Sequence, residues 1–322
     1  MKKTIAVVCG GYSGESAISF KSAAMVMNNI DRSKYEPYQV TITKDRWFAA
    51  LDSKEVDINR HDFSIPTEKS LIHFDGVFMI IHGTPGENGI MQGYFELLGI
   101  PTTTGNALNM SLTFSKKITT RVLSTMGFTT AKSLELKALE PYSATFISQR
   151  VGLPCFVKPN CGGSSIGTSR VNKLEDLHIA IDKAFNEDDR VIIEEYIEGT
   201  EVTCGVIAHK NRVMALPITE IVSEKEFFDF EAKYQGKSQE ITPARLPQNI
   251  YTRVQEYSED IYNKLDCRGM IRVDYIVRDE DIYVIEVNTT PGFTESSIIP
   301  QQAAVIGMSK TELISTVIES CI

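Results

Sequence analysis

The chain has 322 residues, of which 42% are hydrophobic and 23% charged, the composition of a globular protein large enough for about two or three domains. Its 42 acidic and 33 basic residues give a net charge of -9, which argues against nucleic acid and against an anionic membrane surface as partners. The six cysteines have no paired spacing, and no segment approaches a secretion signal or a membrane span of about 20 residues. We therefore predict a cytoplasmic protein without a zinc site or a disulfide framework.

The first predicted element is a strand over residues 4–9, followed by the loop Gly10-Gly11-Tyr12-Ser13-Gly14 and by a helix that starts near Glu15. This order places free backbone amides at the carboxyl edge of a sheet, where small ligands bind. The glycines do not have the dinucleotide-binding spacing, so NAD is discounted. A carboxylate at the position of Glu15 is more often a residue favoured by the helix dipole than a ligand contact, and both interpretations stay open.

Two further strands, near residues 38–42 and 76–81, alternate with helical stretches and predict a small parallel α/β domain. The loop that follows begins with His82. Loops at this edge of a sheet carry function, but a hydrogen-bonded structural histidine is the more frequent explanation. A helix over residues 90–98 closes the unit, and a domain boundary is predicted at residue 101.

A phosphate-binding segment is predicted after a helical stretch over residues 106–126. Here a strand that contains Lys158 leads into the loop Gly162-Gly163-Ser164-Ser165-Ile166-Gly167. A lysine in an apolar strand needs an anionic partner, and the amides and hydroxyls of such a loop can hold phosphate. The pairing predicts a triphosphate site, although a Gly/Ser loop can also be a simple connection. The spacing is not that of a Walker A loop.

The next segments predict a purine site and a lid. After an amphipathic helix over residues 174–185, a strand over 191–195 runs into an acidic edge that ends at Glu201. Such an edge can offer backbone groups to a purine and carboxylates to its ribose, or it can be an acidic surface loop. Residues 223–243 are long, polar and aromatic, which predicts a lid, and a helix follows over residues 249–265.

A β-hairpin is predicted over residues 271–288, with its turn centred near residue 280. Strand alternation in this register places Asp274 opposite Glu286 and Arg272 opposite Asn288. Two carboxylates and an amide oxygen then converge, and such a ligand set suits Mg²⁺ bound together with a nucleotide. The alternative is a hairpin with one solvated acidic face.

The alternation ends directly after the hairpin, where Thr289-Thr290-Pro291-Gly292-Phe293-Thr294 turns the backbone and leaves the Gly292 amide free beside the metal site. Together with Arg272 and the metal, this amide can stabilise negative charge that develops on a phosphoryl or carbonyl oxygen. Ser309 and Glu312 form a capping box that opens the last helix, which runs to Cys321.

Taken together, these motifs show a family resemblance. Along nearly its whole length the chain resembles the D-alanine:D-alanine ligases of the ATP-grasp superfamily. The segments that carry the resemblance are Gly10-Gly11-Tyr12-Ser13-Gly14-Glu15, His82-Gly83 with Gly86-Glu87, Lys158-Pro159 with Gly163-Ser164-Ser165-Ile166-Gly167, residues 194–201, Glu231-Ala232-Lys233-Tyr234, Arg272-Val273-Asp274 and Glu286-Val287-Asn288-Thr289-Thr290-Pro291-Gly292.

The resemblance implies the ATP-grasp fold, of the α/β (α+β) class. An N-terminal parallel α/β domain over residues 1–101 would be followed by two α+β domains, over 102–200 and 201–322, that clasp ATP. It also implies two D-alanine substrates, the product D-alanyl-D-alanine for peptidoglycan precursors, two Mg²⁺ ions that Mn²⁺ could replace, and a homodimer.

Site residues follow from the resemblance by position. ATP would be held by Lys116, Lys158, Ser165, Glu194, Glu195, Ile197, Glu201 and, from the lid, Lys233. The metal ions would be held by Asp274, Glu286 and Asn288, in agreement with the hairpin register. The residues expected to act on the substrates are Glu15 for the first ammonium group, Tyr234 linked to Ser164 and Glu15, Arg272 and the Gly292 amide for the oxyanion, and Ser297 with Ile298 for the second carboxylate.

The chain departs from the family pattern at two places, neither of which removes a proposed ligand. Asn88 stands where the family more often has aspartate, and Cys161-Gly162 occupies a usually more polar part of the phosphate loop.

Three alternatives stay open. A D-alanine:D-lactate ligase is disfavoured because Lys233-Tyr234 is intact, and a silent nucleotide-binding protein is disfavoured because the predicted metal ligands are all present. Another ATP-grasp ligase would give no reason for the combination of Glu15, Ser164 and Tyr234.

Overall fold

The computed structural model describes residues 1–51, 54–210, 212–223 and 238–322. Most of the predicted lid, including Lys233 and Tyr234, lies outside the described residues.

The strands are β1 Lys3–Gly10, β2 Tyr35–Ile42, β3 Trp47–Leu51, β4 Lys54–Asp57, β5 Ile65–Pro66, β6 Leu71–Ile72, β7 Gly76–Met79, β8 Thr129–Thr130, β9 Ser133–Lys137, β10 Cys155–Pro159, β11 Ser169–Val171, β12 Arg190–Glu195, β13 Thr200–His209, β14 Arg212–Ala215, β15 Thr219–Ser223, β16 Ser238–Ile241, β17 Met270–Arg278 and β18 Asp281–Asn288. The helices are α1 Ser16–Asn29, α2 Ile90–Leu98, α3 Ala107–Phe114, α4 Lys116–Thr125, α5 Ala144–Val151, α6 Leu177–Phe185, α7 Gln248–Lys264, α8 Ile298–Val305 and α9 Lys310–Cys321.

The N-terminal sheet has the order β4-β3-β2-β1-β7. In this sheet β1, which is buried from Ile5 to Gly10, pairs in parallel with β2 and β7, as the sequence predicts. Between β2 and β7, however, the chain forms the antiparallel strands β3 and β4 and the short pair β5 and β6 instead of a helical stretch. β4 is mostly exposed and charged, so its sequence carries little of the apolar alternation that marks a strand.

The central sheet has the antiparallel order β11-β10-β12-β9 and is covered by α5 and α6, whose apolar faces share one core with it. The register between β10 and β12 pairs Phe156 with Glu194 and Lys158 with Ile192. This register brings the side chain of Lys158 within reach of Glu194 on the neighbouring strand.

The C-terminal sheet has the order β16-β15-β13-β17-β18-β8, with β14 paired to β13. In the β17–β18 hairpin, Arg272 lies opposite Asn288 and Asp274 opposite Glu286, which confirms the predicted register. Because the turn pairs Arg278 with Asp281, a regular ladder would place Asp274 opposite Ile285. Ile285 is instead an extra residue in a β-bulge, and the bulge restores the register that brings the two carboxylates together.

The helical stretch predicted over residues 106–126 is two helices, α3 and α4, that meet at Ser115. The hydroxyl of Ser115 caps α4 and accepts a hydrogen bond from the side chain of Asn160, and the Lys116 amide donates to the Asn160 carbonyl. These hydrogen bonds, at the break between α3 and α4, hold the start of α4, with Lys116, against the end of β10.

The predicted capping box of Ser309 and Glu312 is present at the start of α9. No helix in the described ranges is long and apolar enough to cross a lipid bilayer.

Candidate active site

Two adjoining clefts contain all of the predicted site residues that the structure describes. The first, here called the loop cleft, lies between the N-terminal loops and the C-terminal sheet and is lined by Glu15, Arg272, Asn288, Gly292 and Ser297 among others. The second, here called the sheet cleft, lies between the central and C-terminal sheets and is lined by Lys158, Ser165, Glu194, Glu195 and Ile197 among others. Both clefts are lined by Lys116, Ser164, Glu201, Asp274 and Glu286.

Asp274 is the centre of a hydrogen-bond network at the junction of the two clefts. Its carboxylate accepts from Nε and Nη2 of Arg272 at 2.8 and 2.7 Å, from the Thr203 hydroxyl at 2.5 Å and from the Asn288 amide at 3.1 Å. Burial disfavours the Arg272 cation, but the charge of Asp274 and the hydrogen bonds between Arg272 and Asp274 outweigh burial and raise the guanidinium pKa. Arg272 is thus held as a cation beside the predicted metal ligands.

The donor set at this junction fits Mg²⁺. Asp274, Glu286 and Asn288 supply only oxygen ligands, and the ammonium of Lys116 lies 3.8 Å from Glu286 Oε2. Within the described ranges, no three His, Cys, Asp or Glu side chains gather as a metal cage. A bound Mg²⁺ would therefore need further oxygens, such as those of water and nucleotide phosphates.

The anionic partner that Lys158 requires is Glu194. Its Nζ lies 2.5 Å from Glu194 Oε2, and both side chains are largely buried. Burial disfavours the ammonium form of Lys158, but the charges of Glu194 and Glu286 outweigh burial and raise its pKa. Lys158 lines the sheet cleft, so it can still contact a ligand, but its place in an apolar strand is already explained by this pair.

The glycine- and serine-rich loop closes against Glu15. Ser164 and Ser165 both have left-handed backbone conformations, with φ of 55° and 57°. The Ser164 hydroxyl donates a hydrogen bond to Glu15 Oε1 at 2.6 Å, and Lys116 donates to the Gly162 carbonyl. Although Glu15 stands at the N-cap of α1, its side chain makes no capping hydrogen bond, which favours the interpretation as a ligand contact.

The remaining predicted residues lie along the cleft walls. Glu195 accepts from the Lys132 amide at 2.8 Å while it lines the sheet cleft, and Glu201 lies where the two clefts meet. Ser297 precedes α8 and accepts from the Thr294 amide at 2.9 Å, so its hydroxyl does not cap the helix. The first amides of α8 therefore lack a side-chain cap at the loop cleft.

His82 is a buried histidine with two hydrogen-bond partners, as the more frequent interpretation of the sequence predicts. Its Nδ1 lies 2.8 Å from the Thr290 carbonyl, and its Nε2 lies 3.1 Å from the hydroxyl of Ser22. Ser22 and the neighbouring Ser19 are fully buried on α1 and were not singled out from the sequence. Their spacing of four and seven residues from Glu15, which places all three on one helix face, is the signal that could have found them.

Glu87 is a carboxylic acid with an altered pKa at the edge of the loop cleft. It accepts a hydrogen bond from the Gly83 amide at 2.9 Å. Burial, together with the negative charge of Glu15, raises its pKa from 4.5 to about 7. Between these two pH values the folded protein keeps a proton that the unfolded chain releases, so the free energy of unfolding falls as the pH rises.

We expect Glu87→Gln to stabilise the protein in a pH-dependent way. Glutamine keeps an oxygen for the Gly83 amide but carries no charge at any pH. The gain in unfolding free energy over the parent protein should be small near pH 4.5 and should reach roughly 3 kcal/mol at pH 8, since the pKa rises from 4.5 to about 7 and one pKa unit corresponds to about 1.4 kcal/mol. Urea unfolding at both pH values measures the difference, and an equal difference at both would contradict the raised pKa.

Two family profiles match the chain. The profile described as D-ala D-ala ligase N-terminus matches residues 4–105, and the profile described as D-ala D-ala ligase C-terminus matches residues 120–319. Among curated proteins, the D-alanine–D-alanine ligase of Porphyromonas gingivalis strain W83 is 46% identical over 323 residues, which span 99% of this chain and 98% of that protein. The D-alanine–D-alanine ligase of Phocaeicola vulgatus is 44% identical over 322 residues, which span 99% of each.

Solved structures agree with these sequence matches. The VanG D-Ala:D-Ser ligase from Enterococcus faecalis superposes with a TM-score of 0.88 at 32% identity, over 99% of both chains. The D-alanine–D-alanine ligase from Bacillus anthracis, complexed with ATP, superposes with a TM-score of 0.80 at 31% identity, over 99% of this chain and 97% of the other.

Proposed function

The chain belongs to the D-alanine–D-alanine ligase family, and on that premise we propose that its two adjoining clefts are the two halves of one active site. It has the ATP-grasp fold and is an ADP-forming ligase that joins two D-alanines through an acyl phosphate, for peptidoglycan precursors. The observation that supports the proposed division is that the two clefts meet at Lys116, Asp274 and Glu286. At that junction a phosphoryl group can pass from one cleft to the other.

In this proposal ATP binds in the sheet cleft. Lys158, Ser165 and the surrounding loop hold its phosphates, with Lys116 at the junction. Glu194 and the backbone near Ile197 take the adenine, and Glu195 and Glu201 lie toward the ribose. The assignments of Lys233 to the γ-phosphate and of Tyr234 to Ser164 and Glu15 stay predictions, because both residues lie outside the described ranges.

The first step joins the first D-alanine to phosphate. One carboxylate oxygen of D-alanine attacks the γ-phosphorus of ATP, the bond to ADP breaks, and an acyl phosphate forms. Glu15 pairs with the ammonium group of this substrate, while Lys116 neutralises charge on the transferred group. Mg²⁺ held by Asp274, Glu286 and Asn288 would add positive charge at the phosphates, and Mn²⁺ could replace it.

The second step forms the amide bond. The amine of the second D-alanine, after loss of a proton, attacks the carbonyl carbon, and collapse of the tetrahedral intermediate expels phosphate. Arg272 and the Gly292 amide donate hydrogen bonds to the oxyanion of that intermediate. Ser297 and the first amides of α8 receive the second carboxylate, because the positive end of a helix favours an anion.

A product assay tests this function. The enzyme is incubated with Mg²⁺-ATP and D-alanine, and separately with L-alanine, or with D-alanine plus D-lactate or D-serine, and the products are identified by mass. We expect D-alanyl-D-alanine and an equal amount of phosphate with D-alanine, and no dipeptide with L-alanine. Preferential formation of the D-lactate or D-serine product would reassign the second substrate.

The homodimer and the cytoplasmic location remain proposals as well. Sedimentation equilibrium at micromolar protein concentration tests the first, and a single species with the 35.9 kDa mass of one chain would contradict it.

A further inference from the structure

We infer that His82 and Ser22 are positioning residues, which orient the Gly292 amide for the second step of the reaction. The inference rests on the proposed function, because it concerns the oxyanion donor of that step. Neither residue is expected to bind a substrate: Ser22 is fully buried, and His82, although it lines the loop cleft, is only 4% exposed and has both ring nitrogens in hydrogen bonds with Thr290 and Ser22. They act through the loop that carries Gly292.

The loop is held on both sides of Gly292 by these two buried groups. Two residues before it, the Thr290 carbonyl accepts from His82 Nδ1 at 2.8 Å. One residue after it, the Phe293 amide donates to the Ser22 hydroxyl at 3.3 Å. A hydroxyl and an imidazole from the N-terminal part of the chain therefore fix the backbone around an amide of the C-terminal part.

The protons of this network can be placed in only one way. A carbonyl only accepts, so His82 Nδ1 carries a proton. Burial lowers the pKa of His82, so the ring is neutral and Nε2 is an acceptor. The Ser22 hydroxyl receives the Phe293 amide and must donate its own proton to Nε2, 3.1 Å away. Phe293, Ser22, His82 and Thr290 form one continuous chain of donors and acceptors.

The packing around the loop supports the same role. The Phe293 ring is fully buried and lies 6.0 Å from the ring of Phe78 on β7, while Pro291 restricts the backbone just before Gly292. If the hydrogen bonds of Ser22 and His82 are removed, this packing should therefore keep the loop in place. The N–H bond of Gly292 would, however, no longer be held in one direction. A small displacement of such a donor is enough to lower a rate about 10- to 100-fold.

Helix α1 connects this network to the first substrate. Glu15, Ser19 and Ser22 lie on one face of α1, and Ser19 binds the Gly10 amide and the Ile80 carbonyl at the strand ends. The helix that would hold the ammonium group of the first D-alanine thus also holds the loop that would receive its carbonyl oxygen. One rigid element sets the distance between the two contacts.

The test separates the second step from the first. Because the acyl phosphate forms before the oxyanion does, a misdirected Gly292 amide slows amide formation more than phosphoryl transfer. The intermediate is then hydrolysed, and phosphate is released without dipeptide. We expect Ser22→Ala to lower the rate of dipeptide formation about 10-fold and to raise the ratio of phosphate to dipeptide above one.

Graded variants of His82 make the prediction sharper. In His82→Asn the side-chain amide stands near the position of Nδ1 and can still donate to Thr290, whereas His82→Leu makes neither hydrogen bond. The ratio of phosphate to dipeptide should rise from the parent enzyme to His82→Asn and further to His82→Leu. If His82→Leu does not fold, Ser22→Ala and His82→Asn decide the question.

Ser258→Ala is the matched control. Ser258 is also fully buried and also has two partners, the Val254 carbonyl and the Tyr275 hydroxyl, each at 2.7 Å. Its loss should affect stability without changing the ratio. A ratio of one in Ser22→Ala and His82→Asn, with activity losses no larger than in Ser258→Ala, overturns the inference. A parent enzyme that makes no dipeptide overturns the proposed function itself.

Discussion

Replacing Arg272 by alanine is expected to lower kcat about 10²- to 10³-fold, the loss that follows removal of one oxyanion donor. Arg272 lines the loop cleft and is held beside the Gly292 loop by its two hydrogen bonds to Asp274. It does not line the sheet cleft, where ATP would bind, so the affinity for ATP should change little. Rapid-quench measurement of kcat, together with equilibrium titration of a non-hydrolysable ATP analogue, separates the two quantities.

Arg272→Lys is the control for this experiment. Lysine keeps the positive charge beside Asp274 but cannot make the bidentate contact that holds the guanidinium in one plane. We expect it to recover part of the lost kcat. An unchanged kcat in Arg272→Ala would remove the oxyanion role, and a loss confined to ATP affinity would transfer Arg272 to the nucleotide site.

Replacing Lys158 by methionine is expected to destabilise the protein by about 3 to 5 kcal/mol, because Glu194 would remain as an unpaired charge in a buried site. The side chains of Lys158 and Glu194 are only 12% and 6% exposed, so water from the sheet cleft replaces little of the interaction with the missing partner. The variant should also bind ATP more weakly, since Lys158 is proposed to hold phosphate. Urea unfolding measures the first effect and titration with ATP the second.

The double variant Lys158→Met/Glu194→Gln distinguishes the two roles of the pair. With the charge of Glu194 removed as well, most of the stability should return, while ATP binding should stay weak, because Lys158 and Glu194 are both proposed to contact ATP. Return of both properties would mean that Lys158 serves the fold alone. If neither stability nor ATP binding returns, the pair of Lys158 and Glu194 does not determine stability at this site.

Much of the site could be predicted because its groups are close in sequence. Arg272, Asp274, Glu286 and Asn288 lie on two strands joined by a two-residue turn, so strand alternation predicts that the two residues of each strand share one face of the hairpin. The bulge at Ile285 was not predicted, and the register was right because the bulge compensates for the position of the turn. Helix α2 could be predicted from its helical spacing of apolar residues, and helix α9 from its capping box.

The features that could not be predicted depend on contacts between distant segments. The partner of Lys158 follows from the register between β10 and β12, whose strands are more than 30 residues apart in the sequence. The network of Ser22, His82 and Thr290 joins α1, the end of β7 and the loop after β18, and no single segment carries its pattern. The break at Ser115 likewise depends on Asn160, which holds the start of α4.

The transfer of an oxygen atom tests the central claim most directly. D-alanine labelled with ¹⁸O in both carboxylate oxygens is incubated with Mg²⁺-ATP and the enzyme, and the phosphate and the dipeptide are analysed by mass. If the carboxylate attacks the γ-phosphorus and the amine then displaces phosphate, one phosphate is released for every dipeptide formed. Each of these phosphates carries one ¹⁸O atom. Phosphate without ¹⁸O, released alongside dipeptide, would contradict the acyl phosphate and with it the assignment of the two clefts.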